Sequence, residues 1–422
     1  MPLKIIVVGA GVAGLCASIA LRQAGHEVEI YEKSQFASEI GAALMVTPNG
    51  ARVLSRLGFS FTAAQAVKID SWNVIQGDSL EPVAKVDFSS AERMFGAPVW
   101  AVHRVDLHNE LRRLATSETE FGCPVQIHLS SEVIGASTEG SIILKNKSRV
   151  TADLVVVADG LHSVLRGVVL EQKAFSSTPT GLSAFRFLID TQKLTGSGTL
   201  LATIEKKGPG ATLLADTKEV AKERHIMWYP CRNGKMQNFV GIHPEREVVG
   251  EDAEAVRTSM LQEFSHFSPD VLEIIRESSH VKCWPLFIHE PLPRWFNGRV
   301  VLIGDAAHPM LPFGGQGSNS AIEDGGSLGY LFTGVDDAQS VTKLLSLFER
   351  ARKARASRVQ VLSSVRAGRE KEVEEELRRY ADPPGSDVPT SMIERTIHDY
   401  GFDVFKKCDE VSKAGMDDYA IL

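Results

Sequence analysis

Three uninterrupted apolar runs organise the chain. The first, Ile5-Ile6-Val7-Val8, leads into a glycine-bearing turn, a stretch of helical spacing to about Ala24, a stop at Gly25 and an alternating segment from His26 to Tyr31. That order predicts strand, turn, helix and strand over residues 4 to 33, one βαβ unit. The other runs, Leu154-Val155-Val156-Val157 and Val300-Val301-Leu302-Ile303, end abruptly at Asp159-Gly160 and Gly304-Asp305. Runs apolar on both faces suit parallel strands covered on both sides. Residues 180 to 285 alternate instead, as in Ser183-Ala184-Phe185-Arg186-Phe187-Leu188 and His225-Ile226-Met227-Trp228-Tyr229, with Gly and Pro turns between. Period-two patterning predicts an inserted antiparallel sheet. The C-terminal stretch from about residue 333 has helical spacing. Its basic segment, Arg350 to Lys371, is followed at once by Glu372, Glu374, Glu375 and Glu376, and reads as a solvated surface helix.

The expected fold is therefore α/β. A Rossmann-like dinucleotide domain is assembled discontinuously from residues 1–75, 101–173 and 286–335. A β-sheet substrate domain comes from 76–100 and 174–285, and helices fill 336–422. A chain of 422 residues has room for two or three such parts. The 46 basic and 53 acidic residues leave a net charge of −7, which argues against a nucleic-acid partner, because phosphate recognition leaves a basic face. Cys16, Cys123, Cys231, Cys283 and Cys408 are scattered without CxxC spacing, so neither a disulfide framework nor a metal site is indicated. Ile5 to Leu21 is uncharged and superficially resembles a signal or anchor segment, but its regularly spaced glycines point to a turn instead. No membrane anchor is expected, and the location expected is cytoplasmic.

The candidate chemistry begins at that turn. Gly9-Ala10-Gly11-Val12-Ala13-Gly14 follows an apolar strand, opens a helix and precedes Glu32 at the end of the next strand. Gly9 allows the tight turn, Gly11 lets a pyrophosphate approach the backbone, and Gly14 lets helix pack on strand. The helix N-terminus supplies unpaired N–H groups. Glu32 can accept from ribose hydroxyls and disfavours a 2′-phosphate, which selects FAD or NAD over NADP. No second strand-GxGxxG-helix unit occurs, since Gly196-Ser197-Gly198 and Gly208-Pro209-Gly210 read as loops. Asp305 ends a strand ahead of Pro312-Phe313-Gly314-Gly315-Gln316-Gly317, a second turn that opens a helix and suits an extended FAD.

Together these residues resemble the single-component flavin aromatic hydroxylases, the salicylate and para-hydroxybenzoate hydroxylase family, from residue 4 to about 370. The resemblance extends to Glu39-Ile40-Gly41-Ala42-Ala43 with Pro48-Asn49-Gly50, and to His103-Arg104-Val105-Asp106-Leu107. It also covers Ala158-Asp159-Gly160-Leu161-His162-Ser163-Val164-Leu165-Arg166, Gly304-Asp305-Ala306-Ala307-His308-Pro309 and Glu323-Asp324. It implies that Ala43, Arg104 and Asp159 contact FAD, that Asp305 holds the ribityl chain, and that the backbone at Gly317 and Ser318 faces the flavin ring. A helix N-terminus there would stabilise the negative charge that reduced flavin carries. Asp159 serves FAD and transient nicotinamide contacts in the family, or else simply ends a strand. His103 and His308 read as packing or positioning histidines.

In the inserted sheet, Arg186 and Tyr229 sit in positions resembling the arginine and tyrosine with which similar fungal enzymes hold a phenolate. Alternatively, Arg186 pairs with a protein carboxylate and Tyr229 is a core residue. The resemblance implies that NAD(P)H reduces FAD, that O2 forms a flavin C4a-hydroperoxide, and that an electron-rich phenolic or indolic ring is hydroxylated or oxidatively dearomatised in secondary metabolism, by a monomer or homodimer. Two other classes share the fold: a flavin reductase or isomerase of a lipid or prenylated substrate, and a non-catalytic binder of a prenylated protein.

Overall fold

The computed structural model describes all residues except 37–41, 119–121, 172–176, 197–209, 220–221, 246–251 and 421–422. Its centre is a six-stranded sheet in the order β18 (Phe296–Asn297), β19 (Val300–Leu302), β12 (Leu154–Val157), β1 (Lys4–Val8), β2 (Glu27–Tyr31) and β8 (Gln126–His128). All its pairs are parallel except β18 with β19. The three apolar runs are thus neighbouring strands, with Ile5 beside Leu154 and Val155 beside Val300. Between β1 and β2, helix α1 (Val12–Gln23) ends at Ala24, and Gly25 has φ +97°.

The second layer is a seven-stranded sheet in the order β17 (Lys282–Ile288), β13 (Thr178–Asp190), β16 (Met236–Pro244), β15 (His225–Cys231), β14 (Gly210–Ala215), β5 (Ser71–Gln76) and β6 (Pro82–Asp87). It is antiparallel except for the β14–β5 pair. Because Ser71–Gln76 and all of β17 pair in it, its strands lie a few residues outside the expected limits of 76 and 285. Of the glycines expected in loops, Gly198 and Gly208 lie outside the described residues; Gly196 ends a 3-10 turn and Gly210 begins β14. The alternation splits the sheet cleanly. Phe185, Phe187, Ile226, Trp228 and Phe239 pack with Val256 and Met260 of α6 (Ala253–Glu263), with Phe264 just after it, and with α7 (Pro269–Glu277). The intervening residues face the dinucleotide half.

Two three-stranded sheets complete the strands: β3 (Ala43–Val46), β7 (Trp100–His103) and β4 (Val67–Lys68), which join the halves, and the hairpins β9 (Val133–Ser137), β10 (Ser141–Leu144) and β11 (Arg149–Thr151). Helix α2 (Pro48–Arg56) packs against the short α3 (Ala91–Phe95), α4 (Arg104–Thr116) packs against α1, and the short α5 (Arg166–Leu170) packs against β18 and β19. Helix α8 (Gly317–Leu331) lies against α1, and side chains at Gly325 and Gly329 would collide with the Cys16–Ala17 and Ala20 backbone.

The C-terminal helices are α9 (Val341–Leu362), α10 (Glu374–Arg378), α11 (Met392–Gly401) and α12 (Val404–Ala420). Here the expectation of a solvated basic helix fails. Arg352 and Arg355 of α9 are 0% and 2% exposed, and Arg358 is also buried. Arg352 pairs with Glu323 at 2.5 Å and Asp324 at 2.9 Å, while Arg355 reaches Asp399 at 3.1 Å and Glu323 at 3.4 Å. Spacing of three places these cations on one helix face. The acids that neutralise them come from α8 and α11, far away in sequence. A buried guanidinium left without such a partner would be very costly.

Candidate active site

The glycine turn has the geometry its spacing predicts. Gly9 has φ +99°, and a Cβ there would run into the Ala158 carbonyl. A Cβ at Gly14 would strike the Gly9 carbonyl oxygen, so α1 touches the turn only because residue 14 has no side chain. Gly11 differs, since nothing lies within 4 Å of the position its Cβ would take. That is the open approach a pyrophosphate requires. Glu32 accepts from the Ala10 N–H at 2.8 Å and the Ser34 N–H at 2.7 Å. A carboxylate has about four acceptor directions, so Glu32 braces the turn and keeps capacity for ribose hydroxyls.

Asp159 and Asp305 are brought together by Arg166. This buried arginine donates to the Ala306 carbonyl at 2.8 Å and to the Asp305 and Leu161 carbonyls at 3.1 Å each. Asp159 Oδ2 accepts from the Val164 N–H at 3.0 Å, but Oδ1 is buried with no donor in hydrogen-bonding geometry. Burial holds this carboxyl above the usual range, despite the opposing pull of the Ser163 hydroxyl and nearby N–H groups. Asp305 is solvent-accessible although residues 303–304 and 306–308 around it are buried. The surrounding protein nonetheless raises its pKa, against His308, Arg104 and Arg166. An accessible yet desolvated side chain opens into a recess within the chain rather than onto the outer surface.

The second turn closes this recess. Gly314 and Gly315 have φ +101° and +64°, and Gly317 starts α8 with nothing within 4 Å of a Cβ position. The first N–H groups of α8, at Gly317 and Ser318, have no intrahelical partner and carry the positive end of the helix dipole. Asn319 and Asn49 sew the turn to the β3–α2 segment: Asn319 donates to Met45 and Gly315 carbonyls at 3.0 and 2.9 Å, and Asn49 donates to Gln316 at 3.1 Å and Glu323 at 2.6 Å. His308 donates to Asp324 at 2.6 Å and lies against Trp295, while His103 is buried beside Asp106. Both are framework histidines here.

Arg186 and Tyr229 lie on the sheet face turned toward the dinucleotide half, near enough that each influences the other's ionisation. They are used differently. Tyr229 is 6% exposed and donates its phenol proton to the Ala43 carbonyl at 2.8 Å, while Asn238, its cross-strand neighbour, accepts from the Ala43 N–H at 2.9 Å. That proton is held by the backbone of β3, which braces Tyr229 while its oxygen keeps acceptor capacity. Asn238 was missed in the sequence, where a polar residue between Gln237 and Phe239 was its signal.

Arg186 has no hydrogen bond or ion pair among the described residues. Burial pushes its pKa down, the Tyr229 hydroxyl partly offsets this, and Arg104 adds to it. Its guanidinium lies 6.0 Å from the Trp284 ring centroid. The pairings Arg186–Lys282 and Ala184–Trp284 put Trp284 on the same sheet face, at an edge strand where it is 39% exposed. Leu188, Met227 and Val240 on that face are only half-buried although they lie between the two halves. With Arg186 they form the part of this face that packing leaves partly open. Trp284 was also missed, its strand being too irregular in pattern to assign a face.

Ala43 and Arg104 meet at the same junction: Arg104 donates its backbone N–H to the Ala42 carbonyl at 2.7 Å and acts on both Asp305 and Arg186 through its charge. Residues 39–41 of the sequence motif lie outside the described residues. A glycine-lined, dipole-ended recess with an unsatisfied buried carboxylate oxygen fits a dinucleotide-linked flavin.

Residues 3–363 match the family described as "FAD binding domain". An FAD-dependent monooxygenase of Aspergillus candidus, cfoG, is 32% identical over 97% of this chain and 95% of its own length. The chain belongs to the FAD-dependent monooxygenases. It is also 31% identical, over 90% of its length and 87% of the relative's, to 3-amino-4-hydroxybenzoate 2-monooxygenase of Streptomyces cremeus. A salicylate hydroxylase solved as a substrate complex shares the fold, with TM-score 0.73 and 23% identity over 97% of this chain and 98% of that one. As a monooxygenase of aromatic-hydroxylase type, the chain uses FAD as its cofactor. No helix among the described residues is long and apolar enough to cross a membrane.

Proposed function

We propose that this monooxygenase uses NAD(P)H and O2 to insert one oxygen atom into an electron-rich aromatic ring that carries an acidic hydroxyl, within secondary-metabolite assembly. The observation that carries this reading is Arg186: a desolvated guanidinium on the sheet face turned toward the dinucleotide half, with no ion pair among the described residues. Buried cations require an anionic partner, and a substrate phenolate supplies one. The family supports the reading too, since one relative acts on a hydroxybenzoate.

Each residue then has a definite task. Gly9, Gly11, Gly14 and Glu32 hold the adenosine and pyrophosphate end of FAD; Asp305, with Arg104, holds its middle; Gly317 and Ser318 N–H groups face the ring; and Asp159 serves the open side where nicotinamide docks. Bound FAD supplies the hydride-accepting and oxygen-activating chemistry. Arg186 binds the substrate oxyanion, favours the phenolate and so enriches the ring carbon to be attacked. Leu188, Met227, Val240 and Trp284 exclude water and flank the ring. Tyr229 and Asn238 act one step back, by fixing the Ala43 backbone.

The test is a panel of phenols, indoles and their O-methyl ethers added to the purified FAD-loaded protein, with NADPH and NADH oxidation and product mass recorded. The reading expects phenols to accelerate oxidation and gain one oxygen, and the ethers, which cannot ionise, to fail. Reduction or isomerisation of a prenylated substrate without oxygen gain would support the reductase alternative.

A further inference from the structure

We propose that the C-terminal helix α11 is a clamp on the flavin-facing turn and that Arg395 is its positioning residue. Arg395 is buried and donates from Nη2 to the Phe313 carbonyl at 2.7 Å and from Nη1 to the Val365 carbonyl at 3.0 Å. Glu370 and Asp399 stand 3.6 and 3.9 Å away and neutralise it. The fit is close. Gly314 has φ +101°, and a side chain there would meet the Arg395 guanidinium, so the arginine packs directly against the turn where it has no side chain.

Phe313 makes the contact more than a surface staple. Its ring lies 5.8 Å from that of His225 in β15 and packs with Ala184 and Ile242 of the substrate sheet, while its carbonyl is held by α11. One residue of the turn therefore touches all three parts of the chain. A second route runs from the same helix: Asp399 binds Arg355, Arg355 reaches Glu323, and Glu323 accepts from Asn49, which also donates to Gln316 at the start of α8. Arg395 lies beyond the residues that match the family, which end at 363. By fixing the Phe313 carbonyl, the arginine sets where the Gly315–Ser318 N–H groups point, and so the polarity around the flavin ring.

This inference rests on the proposed placement of the ring at Gly317, so the experiment includes a variant of that residue. FAD affinity, the visible flavin spectrum and the melting temperature with and without FAD would be measured for Arg395→Ala, Arg395→Lys and Gly317→Val. Loss of a charge-assisted bond predicts FAD binding about ten- to hundredfold weaker in Arg395→Ala, with a displaced flavin band and partial recovery in Arg395→Lys. Should Arg395→Ala fail to fold, the flavin band of Arg395→Lys is the readout. Equal falls in melting temperature with and without FAD, at unchanged affinity and spectrum, would overturn the clamp. If Gly317→Val weakens FAD while both Arg395 variants bind normally, the clamp alone is wrong. Normal FAD binding and spectrum in Gly317→Val would overturn the ring placement and the clamp with it.

Discussion

Replacing Arg186 by leucine separates a structural arginine from a substrate-binding one, because the two roles predict opposite effects on stability. Arg186 is desolvated, lies on the sheet face turned toward the dinucleotide half and makes no ion pair or hydrogen bond among the described residues; its guanidinium stands 6.0 Å from the Trp284 ring centroid. Removing it from the substrate-free protein forfeits a cation–π contact of about 0.5 to 2 kcal/mol and relieves the desolvation of a lone charge, which is at least comparable. The melting temperature should therefore hold or rise. With substrate bound, the same change leaves a buried oxyanion unpaired at about 3 to 5 kcal/mol, so kcat/KM should fall a few hundred- to a few thousandfold. Arg186→Lys keeps the charge but loses the planar fork, and about 1.5 to 3 kcal/mol predicts a ten- to hundredfold fall. Scanning calorimetry, FAD titration and steady-state kinetics on the three proteins decide the matter. Full turnover in Arg186→Leu, or a drop of several degrees in its melting temperature with loss of FAD, would refute the reasoning.

Gly11→Val places a branched side chain where the recess is open, so the protein should fold yet purify colourless; normal yellow absorbance would falsify the turn's role. Asp159→Asn removes a desolvated carboxylate charge while its amide oxygen can still accept from the Val164 N–H, so the FAD-free protein should hold or gain stability and reduction by NAD(P)H should slow. The sign with pH is definite. A carboxyl raised in the native state contributes stability that is complete below its unfolded pKa near 4 and is lost as pH rises through the native value. Measured by urea titration, the stability of the wild type relative to the asparagine variant should fall across that window. Tyr229→Phe removes the bond to Ala43 and should cost about 1 kcal/mol of stability with a small loss of FAD affinity; a large rise in KM with neither effect would return the hydroxyl to the substrate.

The strand runs, the glycine turn and the insertion were legible because each rests on local pattern: an apolar run, a glycine spacing, a period of two. What escaped was decided across the fold. Arg352 and Arg355 read as solvated because their basic segment is followed by a run of acids that includes Glu372 and Glu374, whereas their partners Glu323, Asp324 and Asp399 arrive from other helices. Tyr229 and Arg186 look alike in sequence, polar groups within apolar strands, and only the position of Ala43 distinguishes a hydroxyl bound to backbone from a cation with no ion pair among the described residues. Asp159 and Asp305 were recognisable as paired signatures, but the arginine that joins them, Arg166, shows its role only when three carbonyls converge on it.

The central claim is that one atom of O2 ends on an aromatic ring. Turnover of the best phenol from the panel under 18O2 in unlabelled water, with product mass spectrometry, tests it most directly. The account predicts a product two mass units heavier than that made under 16O2, with NAD(P)H consumed at least in equal amount. A product whose new oxygen comes from water, or that gains none while NAD(P)H is consumed, would contradict it.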